Sequence, residues 1–193
     1  LLNVQYSTQH VLALLDMNLS GRWGNGPFCL TVVVPAVVLL FGNVYCGYVC
    51  PFGAIQELLG DWRPAWRILN PDKRVWRFGR SIKYLLLLVL ILLFAGTWDY
   101  AVLAADPLTT FFSGFQDRPA HALALVLLGL SVLYRRFWCR NLCPAGAFLA
   151  LLSGSRIVRW LRQPIWPARC DLGVRNACEL DCLCCDRCRY EKV

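Results

Sequence analysis

Twice in this chain a long apolar stretch ends in a cysteine pair followed by proline. Phe28 to Tyr45 runs into Cys46-Gly47-Tyr48-Val49-Cys50-Pro51-Phe52-Gly53-Ala54, and Ala122 to Trp138 runs into Cys139-Arg140-Asn141-Leu142-Cys143-Pro144-Ala145-Gly146-Ala147. Backbone polar groups in such runs must be satisfied internally, so each run is a helix and each thiol pair sits where a helix ends. A third run, Tyr84 to Trp98, is nearly all Leu, Ile, Val and Phe and is extended at its start by Ile82. The 58% hydrophobic content exceeds the ~45–50% of a soluble domain and points to a bilayer. A bilayer core takes about 20 helical residues; the three runs are short but adequate, with Trp98, Tyr100, Tyr134 and Trp138 as interfacial anchors.

The charges sort by side. Segments 51–83 and 135–193 hold 18 of the 20 Lys and Arg residues, whereas 1–27 and 99–120 hold only Arg22 and Arg118, against Asp16, Asp99, Asp106 and Asp117. The positive-inside rule makes the first two segments cytoplasmic. The first and third runs then point the same way, and both cysteine pairs lie on the cytoplasmic face at similar depth. The net charge of +8 follows from this sidedness and gives no reason to expect nucleic acid as a partner. The fold predicted is an all-α membrane protein with about three transmembrane helices. Pro51 to Leu59 and Pro144 to Leu152 form short interfacial or re-entrant helices, with proline suited to the first helical turn. The expected organisation is an outer-face connector over 1–27, a membrane domain over 28–163 with a pseudo-repeat (28–60 and 121–153), and a small cytoplasmic ferredoxin-like iron–sulfur segment over 164–193. The chain opens on Leu1-Leu2, and Met17 is its one methionine, which predicts a fragment or processed chain whose first helix is missing. Its opening residues do not read as a signal peptide with a charged n-region.

Cysteines at i and i+4 of a helix share a face. Two such pairs meeting at a pseudo-repeat axis offer four thiolates, Cys46, Cys50, Cys139 and Cys143, a soft tetrahedral set suited to an iron–sulfur cluster, a single iron or zinc. Arg140 and the basic interface would favour the thiolate form. Buried thiols also serve as plain packing residues, but repetition with Pro and Gly-Ala at matched offsets argues for ligands. A disulfide scaffold is disfavoured on a reducing face and by the odd total of 11 cysteines. In the tail, Cys182, Cys185 and Cys188 have the spacing of a ferredoxin run, and Cys170 stands where a fourth ligand would, with Asp171 in place of the usual proline. A [4Fe–4S] cluster held by Cys170, Cys182, Cys185 and Cys188 is expected; a zinc ribbon is the competing reading. Cys178 and Cys184 are left over, and Cys29 reads as a plain apolar residue. His10 and His121 both fall in outer-face regions, which gives no support to bis-histidine haem; His121 near Asp117 suits a solvated interface better than a quinone site.

These stretches resemble the NapH/NosR/CcoG group of membrane polyferredoxins, most closely at Tyr45 to Ala54 and Trp138 to Ala147, more softly at Ser81-Ile82-Lys83-Tyr84 and Asp106-Pro107-Leu108. The resemblance covers most of the chain from residue 28 onward. It implies a component of electron transfer rather than a stand-alone enzyme, in a bacterial inner membrane with its cysteine motifs on the cytoplasmic side. It implies lipid and respiratory redox partners (quinol, a reductase or ferredoxin-type subunits) and a possible second iron or Fe–S site at the Cys-x₃-Cys-Pro motifs. Members of this group also act in metal handling, so an assembly factor for copper or iron is the alternative. The group usually carries four spans and two complete ferredoxin motifs; this chain departs on both counts, so one complete cluster is expected.

Overall fold

The computed structural model describes residues 6–15, 25–61, 73–97, 118–134, 136–154, 180 and 182–184. The regular elements among them are all helical: α1 (Thr8–Leu15), α2 (Asn25–Phe41), a π-helical turn (Tyr45–Val49), α3 (Pro51–Asp61), α4 (Lys73–Thr97), α5 (Arg118–Leu133), α6 (Phe137–Asn141) and α7 (Pro144–Ser153). The all-helical expectation holds. The apolar runs are not single helices, however. The first breaks at Gly42, whose φ of 85° is a left-handed stop, and its N–H closes α2 on the Val38 carbonyl at 2.9 Å. The second breaks after Leu133, where Arg136 takes φ 54° at the start of α6. Both breaks let the chain turn before presenting its cysteines, which an uninterrupted helix would carry further along the same axis.

Phe78–Thr97, within α4, is long and apolar enough to cross a bilayer, with a mean hydropathy of 2.0 and 17% of its apolar window buried. A buried core helix would hide such a surface; here Leu85, Leu86, Leu88, Val89, Leu92 and Leu93 all face outward. The sequence predicts three spans, but α4 is the one described helix of that length. The others, α2 and α5, have 17 and 16 residues.

The two halves of the pseudo-repeat exchange their short helices. After the first motif, α3 packs against α5 of the second half, and after the second motif, α7 packs against α2 of the first. The second of these short helices is therefore not laid on the surface: Pro144, Ala145, Gly146, Ala147, Leu149 and Ala150 of α7 are buried between α2 and α4. Reciprocal packing carries each motif towards the other. The stretch expected as an outer-face connector contributes α1, in which His10, Val11 and Leu12 are fully buried. Leu12 packs on Phe94 and Leu90 of α4, while at the other end the Tyr6 N–H donates to the Tyr45 hydroxyl at 2.6 Å. The sequence places His10 at an outer face; it lies inside the bundle instead, stacked on Tyr6 with ring centroids 5.4 Å apart.

Candidate metal centre

Each motif folds by the same local rule. The Cys50 N–H donates to the Tyr45 carbonyl at 2.9 Å, and the Cys143 N–H donates to the Trp138 carbonyl at 3.0 Å. Both are i→i+5 bonds, a wide turn that recurs at functional sites. The pairs are thus not spaced along an ordinary α-helix, as the sequence suggests. The first cysteine lies in a wide turn, and the second is extended (φ −65°, ψ 115° at Cys50; φ −72°, ψ 109° at Cys143). The second cysteine of each pair immediately precedes the proline that opens the following helix. Proline costs nothing there because its missing N–H has no helical partner at that position. The free N–H groups of the first turn then point back at the thiol: Gly146 N–H donates to Cys143 Sγ at 3.2 Å, and the backbone of Phe52 and Gly53 does the same for Cys50. Such donors favour a thiolate.

The four thiols share one region of the core. Cys46 packs in one cluster with Cys50 and Cys143, and Cys139 packs in a second with the same two residues. Cys139 Sγ lies 3.8 Å, and Cys50 Cβ 3.7 Å, from the point where a side chain on Gly53 would begin. Burial pushes the Cys46 thiol up to about 12, and the charge of Cys50 adds to the rise. Burial likewise raises Cys50 and lifts Cys139 well above the ordinary thiol range, with the other three thiols adding to it. Burial thus favours the neutral form of these three thiols, and an electrophile that binds them must displace their protons.

Two cations oppose that cost. Arg136 lowers the thiol pKa of Cys46, Cys50 and Cys139, and Lys83 lowers that of Cys46. Both are almost fully buried, at 4% and 3% exposure. The Arg136 guanidinium crosses between the halves: it pairs with Glu57 of α3 and donates to the carbonyls of Cys46 at 3.0 Å and Gly47 at 3.1 Å. The Asn43 side chain hydrogen-bonds Cys46. The sequence singles out Arg140 for the charge role and passes over Arg136, Lys83 and Asn43. The available signal was a charge inside an apolar run, which is costly enough to demand a partner. In the tail, Cys182 packs against the cluster containing Cys46 and Cys143, and Cys184 lies beside it in the chain. Cys170, Cys185, Cys188 and Cys178 fall outside the described residues, as does the side chain of His121.

Residues 20–69 and 120–165 match the 4Fe-4S binding domain family. The match falls on the two helix–cysteine–helix halves and not on the tail. Both halves thus match a 4Fe-4S binding domain, and the chain is similar to ferredoxin-type proteins of the NapH/NosR type. It is 35% identical to the regulatory protein NosR of Pseudomonas aeruginosa over 81% of its own length and 23% of that protein's. It is 32% identical to the protein NirI of Paracoccus denitrificans over 96% of its length and 28% of that protein's. Against the ferredoxin-type protein NapH of Haemophilus influenzae it is 28% identical over 75% of its length and 51% of that protein's. The chain thus spans about a quarter of the length of the first two of these. No solved structure matches it.

The donor set suits an iron–sulfur group, for which thiolates are the standard ligands. Among the described residues, no three His, Cys, Asp or Glu side chains are placed to hold a single metal ion. A lone ion would need its sulfurs within ~2.3 Å of one point. A [4Fe–4S] cluster takes one thiolate per iron, so it fits thiols that share a pocket without converging on one point.

Proposed function

We propose that this chain is an electron carrier of a bacterial inner membrane. In this reading Cys46, Cys50, Cys139 and Cys143 hold an iron–sulfur group at the membrane face, and Cys170, Cys182, Cys185 and Cys188 hold a [4Fe–4S] cluster beside it. The observation that carries the reading is the meeting of two like-folded cysteine pairs in one buried pocket with Arg136 and Lys83. Thiols used only for packing have no need of two buried cations. An iron–sulfur group supplies one-electron storage; the protein supplies position, dryness and charge. The apolar faces of α2, α4 and α5 support placement in lipid, through Val32, Val33, Leu92, Leu93, Leu125 and Val126. The distribution of Lys and Arg supports three spans with the cysteines on the cytoplasmic side. Electrons would pass between the quinone pool or a cytoplasmic donor and a respiratory reductase system.

The test is anaerobic purification in detergent, with iron, sulfide and zinc analysis and EPR before and after dithionite, on the natural chain and on Cys139→Ala and Cys185→Ala. Each substitution is expected to remove one class of iron and its reduced-state signal while leaving membrane insertion intact. Zinc or copper without sulfide would refute the electron carrier and leave metal handling as the function.

A further inference from the structure

The tail meets the paired thiols at one particular glycine. A Cβ on Gly47 would stand 2.6 Å from the Leu183 carbonyl oxygen and 3.5 Å from that of Cys184. A gap of 2.6 Å is closer than a side chain can come to a backbone oxygen, and a backbone oxygen cannot swing aside as a side-chain end can. Leu183 is buried at 6% exposure in the cluster that contains Tyr45 and Cys46, with Cys182 packed against it. The chain then turns sharply at Cys184, whose φ is 49°. Three residues earlier than Leu183, the Leu180 side chain lies against Gly154, the residue that ends α7. The contact thus has two points, one on each half of the pseudo-repeat: Gly47 in the first motif and Gly154 behind the second.

We propose that Leu180 and the run Cys182 to Cys184 form a docking strap seated on Gly47, which holds Cys182 and Cys184 against the turn that carries Cys46. Gly47 is a positioning residue: it binds no metal, and its lack of a side chain lets Leu183 and Cys184 approach the turn that carries Cys46. The electron-transfer consequence rests on the reading above. With the strap seated, the two centres are neighbours, and an electron lost by one is gained by the other with no bond made or broken. With the strap lifted, the same two centres persist but no longer sense each other. The equivalent position in the second copy is Arg140, so the two motifs differ at the residue on which the strap sits.

The test needs a readout that does not depend on metal. A photo-crosslinking amino acid is placed at Leu180, which is 38% exposed and has room for it, in the full chain in detergent. Irradiation is expected to join position 180 to the 144–154 peptide, identified by mass spectrometry. Gly47→Ala should reduce that product about tenfold, what ~1.4 kcal/mol of overpacking imposes on a docking equilibrium, and Gly47→Val should reduce it further. In the same variants, iron content should be retained while the spin–spin interaction between the two reduced centres is lost from the EPR spectrum. A chain with Gly47 intact that gives no such crosslink would overturn the strap, and this arm does not depend on any glycine variant folding. A crosslink as strong in Gly47→Val as in the natural chain would overturn Gly47 as its seat. A crosslink that depends on Gly47 in a chain without iron at the paired motifs would uphold the strap and refute the electron carrier.

Discussion

Arg136 is the most consequential single side chain in the described structure, and replacing it tests how the two halves are joined. Its guanidinium pairs with Glu57 and donates to two main-chain carbonyls, those of Cys46 and Gly47, at 3.0 and 3.1 Å. Removing one partner of a buried ion pair costs ~3–5 kcal/mol, chiefly because the other partner stays behind unpaired. Glu57 retains 21% side-chain exposure, so water can partly recover it and the lower end applies. The two carbonyls lose charge-assisted bonds of ~1.5–3 kcal/mol each, although a shorter side chain admits water to at least one. Arg136→Gln should therefore destabilise by about 3 kcal/mol, a fall of roughly 6–12 °C in Tm for a chain of this size. Adding Glu57→Gln should restore about 1–2 kcal/mol, since the stranded carboxylate is then gone. Lysine at 136 should fall between, because one ammonium cannot serve three acceptors set around a planar fork. The assay is thermal unfolding in detergent across the four-member cycle. A cost below about 1 kcal/mol for Arg136→Gln, or a double variant no more stable than the single, would refute the claim that this guanidinium ties the halves together.

Three further outcomes are expected. Gly53→Ala should cost about 1–3 kcal/mol of stability, because its Cβ would press the Cys46 carbonyl oxygen at 3.2 Å; Gly146→Ala should be nearly neutral, since its nearest neighbour is Cys143 Sγ at 3.4 Å, and thermal melts of both variants check the contrast. Tyr45→Phe should cost about 1–3 kcal/mol by stranding the buried Tyr6 N–H, whereas Tyr6→Phe should cost little, because the Tyr6 hydroxyl has no hydrogen-bond partner among the described residues. Burial lowers the His10 imidazole to about 4 from an ordinary 6.5, so below pH 6.5 the unfolded chain takes up a proton that the folded chain refuses. Stability should be level above pH 6.5 and fall by ~1.4 kcal/mol per pH unit down to about pH 4, some 3 kcal/mol in all; His10→Leu should flatten a plot of Tm against pH over that window.

Most of the site's chemistry was legible in the sequence because it is carried by residue type and repetition. The apolar runs, the Pro after each second cysteine and the offset of 93 residues between Cys46 and Cys139 are all one-dimensional patterns. They yield the helices, the shared end of the bundle and the four thiols. What the sequence did not disclose depends on backbone turns and on partners far along the chain. Gly42 and Arg136 break the runs by adopting left-handed φ; at Arg136 nothing in the residue type announces this. The exchange of α3 and α7 between halves leaves no periodic trace, because either half could as well have folded back on itself. Position before the first span points His10 to an outer face, yet an amphipathic pattern as short as Thr8–Leu15 serves equally for an interface or for a slot between helices.

The pseudo-repeat is alike in its backbone and unlike in its charges, and the difference bears on how the pocket works. Counting back three residues from the first cysteine of each motif gives Asn43 in one half and Arg136 in the other. Asn43 stays at home and hydrogen-bonds Cys46, whereas Arg136 reaches across to the Cys46 and Gly47 carbonyls. Lys83 also acts on Cys46. Three polar groups thus serve Cys46, while Cys139 is eased by Arg136. Two arginines at equivalent positions would have put like charges close together in a site of low dielectric, a repulsion that one arginine and one asparagine avoid. The consequence is a site with a built-in gradient: negative charge is better tolerated on the side of Cys46, where the strap at Leu183 also docks. With the proposed iron–sulfur group in the pocket, Asn43, Lys83 and Arg136 would stabilise added negative charge on the side of Cys46, the side against which Cys182 packs.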